Sequence, residues 1–135
     1  MTTTFLEAKN EFISILSNRM QIENISLAIE NVPFDTKEVN EFVRISFNEV
    51  SKRRLTNDNG TAIYQNEGII AIQIFTAVNI GFKRISEIEQ IIFEVFENYS
   101  NDNLRTLEFN YNNVGIADGW QQKNININFE FDTLI

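Results

Sequence analysis

The stretch Lys123-Asn124-Ile125-Asn126-Ile127-Asn128-Phe129-Glu130-Phe131 decides the fold. Ile125, Ile127, Phe129 and Phe131 fall on one side of a period of two; Asn124, Asn126, Asn128 and Glu130 fall on the other. Successive side chains of a strand point to opposite faces, so this segment is a strand with one face on a core and one toward water. A sheet with such a strand needs something apolar to cover it, and the rest of the chain supplies it.

Working back from there, Leu104 to Tyr111 reads as a strand with Leu107, Phe109 and Tyr111 on one face, and 112–121 as a loop around the turn signal Asp118-Gly119. Gly81 introduces a helix to about Tyr99, with Ile85, Ile88, Ile92, Val95 and Tyr99 as its apolar stripe. Ser86 and Glu89 have capping-box spacing, which would delay the helix start past Lys83 and Arg84, two cations ill placed in a first turn. Ala62 to Ala77 is a long strand, with Ile70, Ile72 and Ile74 alternating with Ala71, Gln73 and Phe75. Glu41 to Val50 is its hairpin partner through Val43, Ile45 and Phe47, and the polar segment 51–60, ending in Asn57-Asp58-Asn59-Gly60, forms an extended tip. A short strand, Ile25 to Glu30, ends before Pro33. At the start, Phe5, Ala8, Phe12, Ile15 and Leu16 recur at helical spacing between Thr4 and Arg19.

The expected fold is α+β in the order α-β-β-β-α-β-β. A mainly antiparallel sheet of about five strands carries two helices packed on one face. The 135 residues fit a single domain over 1–135, and 43% hydrophobic residues with twelve Phe supply a core without disulfides.

Composition removes several chemistries. The chain has no Cys, so it has no disulfide, thiolate nucleophile or Cys-ligated zinc. It has no His, the commonest general base, so a Ser-His-Asp triad is impossible. No Gly-rich phosphate loop is present. With Gly60 at the sixth position of a calcium loop, Leu55 and Asn66 would fall at its ends, and neither supplies a carboxylate. We therefore expect no catalytic residues, no cofactor and no metal, and no enzyme activity. A net charge of -8 opposes tight binding to a phosphate backbone. The first residues lack a basic region followed by an apolar run, and no stretch is long and apolar enough for a membrane span, which leads us to expect a cytoplasmic protein with no membrane partner.

Two surface features invite partners. Lys52-Arg53-Arg54 is the one basic cluster, read either as a solvated hairpin tip or as a docking loop for an acidic surface. Leu55, Asn57, Asp58 and Tyr64 flank it in the same hairpin. Glu87, Glu94 and Glu97 give the second helix an acidic side, suited to a partner or to a lumen. A positive tip on an acidic body favours head-to-tail packing between copies. Trp120 reads as a core plug or strand-start anchor.

The order and spacing of these segments resemble the small tail terminator and neck (head–tail joining) proteins of long-tailed phages. The likeness runs from the first helix through Glu30-Asn31-Val32-Pro33-Phe34, Phe42-Val43-Arg44-Ile45 and the long polar hairpin. It continues through 68–75, the Gly-started helix and Asp118-Gly119-Trp120. The resemblance implies a virion structural protein that assembles as a hexameric ring on the end of the tail tube. The ring would meet the tube protein on one side and a head-side connector or neck protein on the other, with DNA only passing through its lumen. It implies residence in the virion tail or neck, and in the host cytoplasm during assembly. By position, the hairpin 51–65 becomes a tube or neighbour contact. The alternatives are a head-closure or neck connector protein, and a small acidic inhibitor or immunity-type protein that masks a basic partner.

Overall fold

The computed structural model describes residues 2–56, 60, 62–79 and 81–134. The chain runs α1 (Phe5–Ile22), β1 (Ser26–Ile29), β2 (Glu41–Thr56), β3 (Ala62–Ala77), α2 (Phe82–Phe96), β4 (Ser100–Asn101), β5 (Leu104–Ala117) and β6 (Trp120–Leu134). The fold is α+β, with one six-stranded sheet in the order β1-β2-β3-β6-β5-β4.

Helix α1 starts where Thr4, in extended conformation, accepts a hydrogen bond from the Glu7 amide at 3.1 Å. It buries Ala8, Phe12, Leu16 and Met20, one residue per turn on a single stripe. Helix α2 buries Ile85, Ile88, Ile92 and Phe96. Phe96 takes the last place in that stripe, and Tyr99 lies beyond the helix end. The delayed start expected from Ser86 and Glu89 does not occur: α2 begins at Phe82 with Gly81 as its N-cap. Arg84 is tolerated in the first turn because Glu41 holds its guanidinium through bonds of 2.9 Å.

Both helices lie on one face of the sheet. Val43, Ile45 and Phe47 of β2, Ile70, Ile72 and Ile74 of β3, and Ile125, Ile127, Phe129 and Phe131 of β6 form one buried cluster with the two helical stripes. Phe12 sits at its centre, edge-on to Phe96, Tyr99 and Phe129 at 5.0–5.9 Å.

The sheet has one more strand than expected and is mixed. The added strand is the two-residue β4, too short to leave a periodic signal. β1 joins β2 in parallel, because the segment 30–40 carries the chain back along β1 before β2 begins. The remaining pairs are antiparallel.

Three strands run further than the sequence suggests. β2 continues past Val50 to Thr56, paired with β3 from Ser51↔Glu67 to Thr56↔Ala62. β5 and β6 run through most of the expected loop 112–121, down to a two-residue connection. Asp118 (φ 52°) and Gly119 (φ 81°) both take positive φ there, as a type I′ hairpin turn requires.

A crease crosses the sheet. Glu49, Gly68, Phe129 and Thr106 are paired in one row. The register shifts directly after Glu49 in β2 and after Thr106 in β5. A bulge bends its strand, so two bulges in one row fold the sheet along that line. The second bulge also corrects the expected strand face: Phe109 and Tyr111 share the helix side, whereas Leu107 is half exposed.

On the opposite face, at the far end from the β2–β3 tip, Phe42 and Phe75 stack at 4.5 Å with Arg44 above both rings. Trp120, the first residue of β6, meets them edge-on, and Phe34 closes the group. Trp120 thus anchors a strand start in a small aromatic group apart from the main core.

Candidate functional site

Beyond the crease the hairpin becomes an arm. Lys52, Arg53, Arg54 and Leu55 stand opposite Asn66, Gln65, Tyr64 and Ile63 in β3, so they belong to a paired strand and not to a loose loop. β6 flanks β3 on its other side as far as Ile63↔Leu134, making the arm three strands wide. Buried Asn66 braces it: its amide donates to the Phe131 carbonyl at 3.1 Å and to the Thr133 hydroxyl at 3.0 Å. Asn57 and Asp58 lie outside the described residues.

The basic side chains are exposed along this arm. Lys52 Nζ lies 5.5 Å from the centre of the Tyr64 ring. Arg53 donates to Gln65 Oε1 at 2.9 Å; Gln65 in turn donates to Glu130, which also accepts from Arg105. Among the described residues no carboxylate pairs with Lys52, Arg53 or Arg54. Leu55 adds an exposed apolar side chain next to them.

The acidic residues of α2 are not brought together into one open face. Glu94 accepts from Arg19 of α1 at 2.9 Å, and Glu87 lies 4.0 Å from Arg84. The hydrogen bond to Glu94, then that to Glu23, raises the Arg19 pKa, and Glu41 does the same for Arg84. Glu97 sits just past the helix end, exposed. Glu94 therefore ties α2 to α1, Glu87 faces a cation on its own helix, and Glu97 alone of the three stays open among the described residues.

The feature that sequence reading missed is a pair of open sheet edges. Among the described residues, β1 covers β2 only along Phe42–Ile45, leaving 46–56 without a strand neighbour on that side. Among the described residues, β4 likewise covers β5 only at Leu104 and Arg105, leaving 107–117 without one. The β5 edge exposes Leu107, Tyr111, Val114 and Ile116, the last 69% accessible. Along it, α2 presents Glu89, Gln90 and Phe93 above Tyr111. Glu89 is held by Lys123 at 2.7 Å, and Lys123 in turn lies over the Tyr111 ring. The signal for this edge was in the sequence: Asp118-Gly119 permits a tight hairpin, and strands can run right up to it.

A shallow hollow of about 250 Å³ lies at the crease, between Val50, Glu67, Ile69, Leu107 and Asn128. It falls below the usual size of a small-molecule site and holds a single carboxylate. Among the described residues no group of three acidic side chains is placed to hold a metal ion, and no helix is long and apolar enough to cross a membrane.

No protein-family model matches the chain, and no curated protein matches it. Solved structures do match. One aligns over 96% of this chain and 96% of its own, with a TM-score of 0.72 at 12% sequence identity. At that identity the likeness is one of fold alone.

Proposed function

We propose that this chain is a phage structural protein, a tail terminator that closes into a hexameric ring on the end of the tail tube and meets a head-side connector. The observation that carries this reading is the pair of dissimilar open edges, basic on β2 and apolar on β5, on opposite sides of one sheet. Two different surfaces that fit each other generate a ring when the rotation closes, whereas one self-complementary patch gives a dimer. An acidic body suits a lumen through which DNA passes without sticking. The resemblance in segment order to terminator and neck proteins points the same way. In this reading the chain does no chemistry, and its home is the virion tail or neck.

The test is removal of residues 55–60. The shortened hairpin keeps its core pairing, so the fold survives, and ring formation or docking to the tube fails. Normal joining of tails to heads with that deletion would sink the proposal. The acidic inhibitor alternative draws on the net charge of -8 and predicts a stable monomer in a one-to-one complex. A head-closure role would show as binding to filled heads instead of isolated tubes.

A further inference from the structure

We propose that neighbouring copies join by strand addition, the open half of β2 (46–56) lying antiparallel against the open half of β5 (107–117) of the next copy. This rests on the ring reading and specifies its junction. The direction follows from topology. β2, β3, β6 and β5 alternate in direction across the sheet, so β2 and β5 run oppositely. Copies related by rotation keep their strand sense, so a β2 edge brought to a β5 edge meets it antiparallel.

The coverage of the two edges is complementary. On β2 the covered part is Phe42–Ile45, at the end where β3 meets Gln122 and Trp120. On β5 it is Leu104–Arg105, at the opposite end, level with Phe131. Each copy therefore has a step at one end of each edge. Sliding the second copy along the strand direction lets the open halves overlap while β1 and β4 stay clear. Both edges carry backbone groups without a strand neighbour, which such pairing would satisfy.

Charge complements shape. Lys52 and Arg54 stand opposite Asn66 and Tyr64; Asn66 is buried on the helix side, so these two cations share that side. On the accepting edge the helix side carries Phe109 and Tyr111, with α2 above them. Phe93 packs on Phe109 at 5.1 Å, and Glu97 follows one helical turn later. The incoming Lys52 and Arg54 thus arrive beneath Gln90 and Glu97, with Glu108 on the strand itself, whereas Glu89 is already held by Lys123. Arg53 and Leu55 fall on the other face, beside Asn110 and Asn112.

The absence of cysteine from the chain makes the junction directly testable. The variants R53C/N110C and R53C/N112C change exposed side chains only. Within one copy the two positions are three strand spacings apart across the sheet, about 14 Å, and displaced along it as well, too far for an intrachain disulfide, whose Cα atoms must come within roughly 7 Å. Mild oxidation should place most of the chain of at least one variant in a ladder of covalent multimers. Each single-cysteine variant should stop at dimers. A ladder that ends at six supports both the junction and the ring. A ladder that continues without end keeps the junction and overturns the closed hexamer. Monomers after oxidation, from protein that sediments as a ring, overturn the junction and leave the ring reading standing. Monomers by both methods overturn both, and identify the basic side chains as guards against edge pairing.

Discussion

Gly68 of β3 and Phe129 of β6 stand directly opposite each other, and the Phe129 ring occupies the space a side chain at Gly68 would need. A Cβ there would lie 2.7 Å from Phe129 Cε1 and 3.1 Å from the Asn48 carbonyl oxygen. Phe129 is buried, packed on Phe12, and cannot swing away. The glycine therefore lets the largest ring at the crease fill the core. Gly68→Ala should cost about 1–3 kcal/mol by overpacking. Urea unfolding should show a lower midpoint with an unchanged slope; an unchanged midpoint would mean the crease relaxes freely.

Thr4 is the single side-chain cap at the start of α1, accepting from the Glu7 amide. Thr4→Ala should destabilise the protein by about 1 kcal/mol, and Thr4→Asp should restore most of it. Thermal melts of the three proteins check this.

Tyr99 predicts an alkaline transition. Burial, and next the hydrogen bond to Glu11 at 2.5 Å, push its phenol from 10.0 up to about 12. The unfolded chain releases this proton near pH 10.0 and the folded chain near 12. Between those values the unfolded state holds fewer protons, so stability falls as pH rises; below pH 10.0 the contribution is whole. Tyr99→Phe should flatten that decline and remove the highest step from an ultraviolet titration of phenolate. A decline of equal slope in the variant would place its origin elsewhere.

Replacing Lys52, Arg53 and Arg54 together by Gln should leave monomer stability within about 0.5 kcal/mol, because these side chains are exposed. Assembly of the parent protein should weaken as salt rises, and assembly of the variant should be weaker at low salt and nearly indifferent to it. Equal assembly of both at low salt would show that the arm's charge plays no part.

Period-two alternation in 70–75 and 123–131, and the helical stripes of 8–16 and 85–92, made the core legible, because burial on one face forces apolar residues into register. The arm was not legible as strand. Residues 51–55 are exposed on both faces, so nothing selects an alternating pattern there. The bulge after Thr106 broke the parity of β5 and sent Leu107 to the surface. Grouping Glu87, Glu94 and Glu97 by sequence missed Arg84, one turn before Glu87 on the same helix, and Arg19, which reaches Glu94 from α1. Asp118-Gly119 signalled how far β5 and β6 could run, but which of their edges stays open depends on which strands become neighbours, a property of topology.

Sedimentation velocity across a wide concentration range distinguishes a closed ring of identical copies from every other state of the protein. A ring should sediment as a discrete species at the mass of a hexamer of the 15.7 kDa chain, dissociating as salt is raised. A monomer throughout the range, or a series of polymers with no preferred size, would contradict it.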